Sequence, residues 1–206
     1  MAASSRLIHR ITPKNILSFG PDCAGIELGP LNLLIGPNGS GKSNLIEVIN
    51  FMRASRKDFA EVTRKSGGTQ EWLWKGCKTG EGEISLVIRS QETGAALRHA
   101  VSFAVENHRL ILKDECILEA NKENPRVYYS GLRSGKPVVS TFTDSEERKR
   151  NVEQTSTSQS IISQLVEPSL YPELAWLNLC YALVRIFREW SFGRNTVFRM
   201  PQPADQ

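Results

Sequence analysis

Hydrophobic and polar positions alternate through the middle of the chain, which predicts β-strands there. The alternation has a period of two in three neighbouring stretches, residues 83–90, 97–107 and 109–119. Short runs of this kind, separated by turn residues, are typical of antiparallel strands. Tyr128-Tyr129 and Val138-Val139 flank residues 131–137 like the two arms of another hairpin. We therefore expect an antiparallel β arm in this part of the chain.

The N-terminal pattern has the order strand, glycine-rich loop, helix. Residues 7–19 alternate loosely, and residues 31–35 form a short apolar run bounded by turn-forming residues. Such a run predicts a buried strand. Residues 44–57 then carry apolar side chains at helical spacing. A strand that leads through glycines into a helix is a recurrent supersecondary unit.

The C-terminal part predicts polar chain followed by a helix. Residues 144–160 are rich in Ser, Thr, Glu, Arg and Gln, which indicates a solvated linker or the exposed start of a helix. After Pro172 the apolar residues follow a 3.6-residue period as far as Trp190, and the opposite face is also apolar. A helix that is apolar nearly all round needs neighbours on several sides. We expect two regions, residues 1–143 and residues 144–206.

Composition places the chain among ordinary globular proteins. Of its 206 residues, 40% are hydrophobic and 23% are charged, and the net charge is +4. This positive balance permits an anionic partner without requiring one. The four cysteines contain no C-x-x-C pair, which favours reduced thiols over a zinc site or a disulfide framework. With no signal-peptide run and no apolar stretch of about 20 residues, we expect a cytoplasmic protein that does not enter a membrane.

One motif carries recognisable chemistry. The octet Gly36-Pro37-Asn38-Gly39-Ser40-Gly41-Lys42-Ser43 fits the phosphate-binding pattern G-x-x-x-x-G-K-S without a mismatch, between the predicted strand and helix. Glycines let consecutive backbone N–H groups converge on one anionic pocket, and the helix adds its positive end. The residues expected to contact the nucleotide are Gly36, Pro37, Asn38, Gly39, Ser40, Gly41, Lys42, Ser43 and Asn44.

Two side chains of the octet have separate expected roles. Lys42 should place its ammonium between the β- and γ-phosphates, which makes it a candidate catalytic residue. The Ser43 hydroxyl should ligate Mg²⁺, a hard cation that prefers oxygen ligands. The predicted cofactors are therefore ATP and Mg²⁺. Guanine specificity is disfavoured because Asn121-Lys122-Glu123-Asn124 has Asn where a guanine-reading motif needs Asp.

The residues around the octet resemble a family. Leu33-Leu34-Ile35, the octet and Asn44-Leu45-Ile46-Glu47, preceded by Lys14-Asn15-Ile16-Leu17-Ser18-Phe19, resemble the N-terminal half of the head in RecF/SMC-like ABC ATPases, the branch with OLD-type and "AAA-type ATPase core" proteins of DNA repair and phage defence. Leu17 departs from this pattern, because the family often has Arg or Lys there. The resemblance implies a fold of class α/β, with a P-loop NTPase lobe, an antiparallel β arm and a helical C-terminal portion.

The resemblance also implies a nucleotide-sandwich homodimer that needs further motifs. Ser66-Gly67-Gly68 imitates the family's signature, but it follows the first helix too closely, so a structural glycine turn is favoured. Asp114-Glu115 imitates the Walker B end, but Lys113 interrupts its strand, so an edge-strand charge pair is favoured. Histidines 9, 99 and 108 are interpreted as ordinary surface or partly buried residues. Neither a complete signature nor a complete Walker B strand is therefore assigned.

A glutamine that completes the site is a better prospect. Gln159 and Gln164 both fall where the resemblance places the junction between the two lobes of the head. Such an amide joins Mg²⁺ or orients the attacking water, so Gln159 is the candidate catalytic and metal-binding glutamine. The alternative is that both glutamines are solvated polar residues at the start of a helix.

The sequence predicts the first half of an ATPase head, which a further domain or polypeptide completes. Its expected activity is Mg²⁺-dependent ATP binding, with hydrolysis in the completed dimer. The alternative is a non-catalytic module in which ATP only holds two chains together. DNA and an associated nuclease or effector are expected as partners from the resemblance, since the basic residues 148–150 and Arg185, Arg188, Arg194 and Arg199 are interleaved with acids and also suit a solvated helix.

Overall fold

An antiparallel sheet organises the protein. A computed structural model describes residues 7–65, 68–89, 95–131, 136–142, 146–152 and 159–187. Within these residues, eight strands form one sheet in the order β2-β1-β3-β4-β5-β6-β7-β8. Their bounds are β1 (Ile8–Lys14), β2 (Ile26–Glu27), β3 (Glu81–Arg89), β4 (Ala96–Glu106), β5 (Arg109–Glu119), β6 (Val127–Ser130), β7 (Val138–Phe142) and β8 (Glu147–Asn151).

In the described ranges, four α-helices and one short 3₁₀ helix accompany the sheet. Their bounds are α1 (Lys42–Ala54), α2 (Phe59–Lys65), the 3₁₀ helix (Thr69–Trp72), α3 (Ile161–Gln164) and α4 (Pro172–Leu183). No helix of the described residues is long and apolar enough to span a bilayer. The mixed α/β class and the antiparallel arm are confirmed, and β3, β4 and β5 lie within two residues of their predicted bounds.

Helix α1 is positioned by an aromatic cluster beneath it. Phe51 of α1 has its ring centroid 4.6 Å from that of Phe59, 4.9 Å from that of Trp72 and 5.0 Å from that of Phe103 on β4. All four side chains are fully buried. Aromatic side chains of this size contribute much of the buried apolar area in a core. The cluster therefore fixes α1, and the loop that precedes it, against the sheet.

The predicted strand over residues 31–35 is wrong. The segment is not a strand, and Leu31, Leu33 and Ile35 are 90%, 81% and 84% exposed. In the described part of the chain no other strand pairs with it, so its apolar side chains and its backbone have nothing to pack against. A strand that is apolar on both faces is stable only inside a covered sheet. The apolar pattern of residues 31–35 predicts a buried segment, but the described residues do not cover it.

Two further sequence predictions differ from the structure. Residues 147–151 are neither a linker nor the start of a helix but form β8, because β7 offers them an unpaired edge. The last helix ends at Leu183 rather than continuing towards Trp190, and residues from 188 onward lie outside the described residues.

Candidate nucleotide-binding site

The glycine-rich loop is open, and its backbone suits an anion. Gly39 and Gly41 have φ angles of 82° and 89°, which favour glycine. Residues 36–40 are all exposed. A Cβ atom on Gly36 would lie 2.8 Å from Oγ of Ser40, and a Cβ atom on Gly41 would lie 2.6 Å from Oγ of Ser18. The loop therefore needs glycine for its backbone angles at two positions and for close approach at Gly36 and Gly41.

Lys42 is the first residue of α1, and its side chain folds back over the loop. Its Nζ donates to the carbonyl of Gly36 at 2.8 Å and to the carbonyl of Pro37 at 2.7 Å. Oγ of Ser40 lies 3.4 Å from the same ammonium. An ammonium that is held by two carbonyls at an exposed loop can exchange them for other oxygen acceptors. The Lys42 charge thus already lies over the loop that should bind phosphate.

The N-terminus of α1 leaves backbone donors available beside this charge. No side chain caps the helix at Gly41, and no acidic residue occupies its first turn. The first N–H groups of a helix have no intrahelical acceptor, so they bind anions readily. The Ser43 side chain is exposed at the same end. The residues present fit a nucleotide phosphate and an oxygen-liganded cation.

A strained turn packs against this helix start. Asn15 and Leu17 have φ angles of 55° and 51°, although neither is glycine. The turn is tied down by hydrogen bonds from the Leu17 N–H to the carbonyl of Trp72 (2.9 Å) and from the Trp74 N–H to the carbonyl of Asn15 (2.9 Å). Leu17 itself packs against the apolar core. The position at which the sequence resemblance leads us to expect Arg or Lys is therefore used for packing against the core.

The structure does not bring Gln159 into contact with the loop. Gln159 lies just before α3, and its carbonyl accepts a hydrogen bond from Nε2 of Gln164 at 3.4 Å. Its side chain is half-buried, and among the described residues its amide makes no hydrogen bond to Lys42 or Ser43.

Ser66 and Gly67 of the signature-like triplet lie outside the described residues. The described chain also contains no cluster of three or more His, Cys, Asp or Glu side chains that could hold a metal ion.

Comparisons with known proteins found sequences similar to the part of the chain that contains this loop. Residues 31–110 match the family described as "AAA domain, putative AbiEii toxin, Type IV TA system". A 122-residue segment is 29% identical to the DNA double-strand break repair Rad50 ATPase of Sulfolobus acidocaldarius, covering 56% of this chain and 13% of that protein. The chain is similar to an ABC/SMC-like ATPase head region. It spans about an eighth of the length of this relative, and nothing in the matches identifies the OLD-type branch.

A solved structure was also found. Its title is "Structural biochemistry of ATP-driven dimerization and DNA stimulated activation of SMC ATPases", and it is 17% identical to this chain. The match covers 63% of this chain and 74% of that one, with a TM-score of 0.40.

The described residues contain a buried polar network that the sequence pattern does not predict. Glu115 is not an exposed charge on an edge strand, because β5 lies between β4 and β6 and the Glu115 side chain is 1% exposed. Its Oε1 accepts hydrogen bonds from Nε2 of His99 (2.8 Å) and from Oγ of Ser160. Its Oε2 accepts from the Ile161 N–H at 2.9 Å. The interpretation of Glu115 as an edge charge is therefore wrong.

His99 connects the same network to α4. It is fully buried, which contradicts its interpretation as an ordinary surface or partly buried residue, and its Nδ1 lies 2.8 Å from the hydroxyl of Tyr181. Burial, with Glu115 nearby, raises the pKa of Tyr181 well above its usual value, so the phenol keeps its proton. A neutral His99 that donates from Nε2 and accepts at Nδ1 satisfies every atom of the network. In the sequence, the only signal was that His99 shares a strand face with Leu97 and Val101.

This network cannot act as a hydrolytic triad. The carboxylate lies between the hydroxyl and the imidazole, so His99 does not contact Ser160 and cannot take its proton. His99 and Ser160 are both 0% exposed, which denies a substrate access. The arrangement instead joins strands β4 and β5 to the start of α3 and to α4.

A groove with both basic and acidic side chains crosses the opposite side of the sheet. Its volume is about 610 Å³, and its lining includes the basic residues Arg10, Lys14, Arg98 and Lys122 and the acidic residues Glu119 and Glu123. Nε of Arg98 donates to Oγ of Ser85 at 3.0 Å, and Nζ of Lys122 lies 2.9 Å from Oε1 of Glu119. Although burial raises it, the pKa of Glu119 is held below its usual value by Lys122 and by the Arg126 backbone. No ion pair or side-chain hydrogen bond joins the Lys14 ammonium to another described residue.

The basic clusters found in the sequence lie elsewhere. Arg148, Lys149 and Arg150 are exposed on β8, and the first two are 3.5 Å and 3.4 Å from Glu146 and Glu147. Arg185 follows α4, and the arginines at 188, 194 and 199 lie outside the described residues.

Proposed function

We propose that residues 36–44 bind ATP with Mg²⁺. The observation that carries the proposal is the open glycine loop in front of an uncapped helix, with the Lys42 ammonium folded over it. Lys42 would exchange the carbonyls of Gly36 and Pro37 for phosphate oxygens, and the backbone N–H groups of residues 38–42 would cradle the same phosphates. Ser43 would hold the metal, which supplies charge neutralisation between the phosphates when bound. Titration of the protein with ATP by calorimetry, with Mg²⁺ and with EDTA, tests this.

Hydrolysis in a completed dimer is the second part of the proposal. Gln159 would place its amide at the metal or at the attacking water, and Lys42 would stabilise charge on the transferred phosphoryl group. Support comes from the similarity to ATPase heads and from the apolar segment of residues 31–35, which needs a covering sheet. We propose that another part of the assembly supplies that sheet and the remaining site residues. ATP would then control closure of two heads, as a switch between open and closed states.

A non-catalytic module is the alternative function. The same exposed apolar segment favours it, because a surface that is covered only in the dimer makes association the direct consequence of ATP binding. Phosphate release and the mass of the complex in solution separate the two functions. ATP-dependent dimers that release no phosphate would support the alternative, whereas turnover that depends on dimerisation supports the ATPase.

DNA is the proposed macromolecular partner. The groove around Lys14 and Arg98 supports this, because it places basic side chains above a half-buried sheet surface. DNA repair and phage defence are the two settings that we propose, with a nuclease or another effector as an associated protein and the cytoplasm as the location. Electrophoretic shift of a DNA duplex, with and without ATP, tests the DNA contact.

A further inference from the structure

The buried carboxylate of Glu115 accepts hydrogen bonds from the two residues directly after Gln159. Ser160 donates its hydroxyl to Oε1 of Glu115, and the next residue, Ile161, donates its N–H to Oε2 at 2.9 Å. Both carboxylate oxygens are thus used to hold two consecutive residues. Hydrogen bonds to a charged, buried group are stronger than neutral ones, so this is a firm attachment.

The attachment reaches across the fold. Glu115 lies in the interior strand β5, 45 positions before Ser160. On its other side the carboxylate accepts from His99 on β4, and His99 contacts Tyr181 on α4. Ser160 also caps α3 by accepting the Ile162 N–H at 3.2 Å. Contacts from β4, β5, α3 and α4 therefore fix the position of Ser160.

Gln159 directly precedes Ser160, and in the described residues its side-chain amide makes no hydrogen bond. Its side chain is half-buried, and within the described residues only its carbonyl takes part in a hydrogen bond. A side chain that must place one amide at a metal or a water needs a rigid backbone, because small displacements reduce catalysis and binding. The neighbouring Glu115–Ser160 contact supplies that rigidity.

We propose that Glu115, through Ser160, is a positioning residue for Gln159. This inference rests on the proposed function, which gives Gln159 its role at the metal. Glu115 itself touches neither nucleotide nor metal in this scheme, since it is sealed inside the core. Its effect is to fix the approach of the Gln159 amide, which only an Mg²⁺-dependent measurement can detect.

The experiment measures ATP affinity of the full chain in Mg²⁺ and in EDTA, and uses the ratio of the two. The variants are Gln159→Ala, Ser160→Ala, Glu115→Gln and the double variant of residues 159 and 160. Thr69→Val is the matched control, because it removes another largely buried hydroxyl hydrogen bond, from Thr69 to the carbonyl of His108 at 2.8 Å. Thermal unfolding and circular dichroism verify that each variant is folded. Ser160→Ala removes the hydrogen bond from the Ser160 hydroxyl to Glu115 and keeps the bond from Ile161, so it breaks one of the two contacts without removing the carboxylate.

We expect Gln159→Ala and Ser160→Ala to reduce the ratio of ATP affinity in Mg²⁺ to that in EDTA by similar factors. Gln159→Ala and Ser160→Ala should each lower the affinity ratio by about threefold or more, and the double variant should lower it no further, because coupled residues are not additive. Glu115→Gln should resemble Ser160→Ala, and Thr69→Val should leave the ratio unchanged at a comparable loss of stability.

Two other results would overturn the inference and are distinguishable from failure of the proposed function. A ratio lowered by Gln159→Ala but unchanged by both Ser160→Ala and Glu115→Gln would remove the role of Glu115 and leave Gln159 in place. A ratio unchanged by Gln159→Ala, with ATP still bound, would remove Gln159 and the inference together while the loop site stands. Failure of the chain to bind ATP at all would instead refute the proposed function.

Discussion

Arg56 donates a hydrogen bond from its Nε to Oδ1 of Asn178 at 3.0 Å, although 122 positions separate the two residues. Asn178 then donates its Nδ2 to the carbonyl of Ile162 at 2.9 Å. One amide thereby joins the chain just beyond α1 to α4 and α3. Because α1 begins at Lys42, this contact fixes the phosphate-loop helix relative to the C-terminal helices.

Replacing Asn178 tests the energetic value of that link. Asn178→Ala removes both hydrogen bonds and leaves the half-buried guanidinium of Arg56 without this acceptor, so the free energy of unfolding should fall by about 1–3 kcal/mol. Urea denaturation measures it. Ser169→Ala is the control, because the exposed Ser169 hydroxyl donates to Glu167 (2.8 Å) and its loss should change stability by less than about 0.5 kcal/mol. Equal decreases in the free energy of unfolding for the two variants would show that the hydrogen bonds of Asn178 stabilise the fold no more than an exposed hydroxyl contact does.

Lys42→Ala should abolish most nucleotide affinity and retain the fold. Hydrogen bonds to a charged group are worth about 1.5–3 kcal/mol, so ATP should bind at least about tenfold more weakly. The Lys42 contacts lie in an exposed loop, so the thermal midpoint should stay near that of the wild type. Lys113→Ala on β5 is the control, since it removes a lysine that pairs with Glu106 at 2.5 Å. Unchanged ATP binding by the Lys42 variant would eliminate the proposed site.

The exposed segment before the loop should tolerate truncation. Leu33→Ala should change the free energy of unfolding by less than about 0.5 kcal/mol, because the Leu33 side chain is 81% exposed. Leu86→Ala should cost about 2–5 kcal/mol, because the Leu86 side chain is fully buried in β3. Chemical denaturation of both variants provides the comparison. A large loss for Leu33→Ala would mean that residues 31–35 are covered in the isolated chain.

Cys77, Cys116 and Cys180 should differ in their rate of alkylation. Burial raises the pKa of Cys180 to about 11, and it also raises the pKa of Cys116, with Asp114 adding to the effect. At Cys77, burial acts in the same direction, but hydrogen bonds from Thr79 and the neighbouring backbone bring the pKa below its usual value. The thiolate is the reactive form, so at pH 8 iodoacetamide should label Cys77 well before Cys180. Peptide mass spectrometry at timed intervals measures the order, which labelling of Cys180 at the rate of Cys77 would contradict.

The next prediction tests whether the charge of Lys14 in the groove contributes to DNA binding. Lys14→Glu should weaken binding of a DNA duplex about equally for all sequences and reduce the slope of log affinity against log salt by about 1. Lys78→Glu makes the same change of charge at an exposed lysine that does not line the groove. Fluorescence anisotropy over a range of salt concentrations measures both. If the two variants lose affinity equally, only the net charge matters and the groove is not the contact.

The sequence predicts the sheet well because its signal is local. The strict alternation around Ile84 and Leu86, and again around Val101 and Phe103, reports which side chains face the core, and the structure buries all four. Residues 31–35 gave an equally strong signal, yet strand formation depends on a neighbour that pattern alone cannot supply. Local pattern therefore predicts the side-chain face of a strand but not its pairing partner.

The polar network shows a second limit of sequence reasoning. Asp114-Glu115 read as exposed charges because carboxylates are rarely buried without partners. The partners of Glu115 come from positions 99, 160 and 161, and no spacing rule connects these residues. The roles of Lys42, Ser43 and Gln159 stay predictions, since the structure places the first two at one loop and the third at another.

The pairing order of the sheet has a consequence for how the protein acquires its shape. From β3 to β8, each strand pairs with the strand that follows it along the chain. Closing such short connections costs little entropy, so these hairpins can form one after another as synthesis proceeds. Strand β1, by contrast, pairs with the two-residue β2 and with β3, which begins almost 70 residues after β1 ends. The whole glycine-rich region therefore leaves the ribosome before β3 is available to pair with β1.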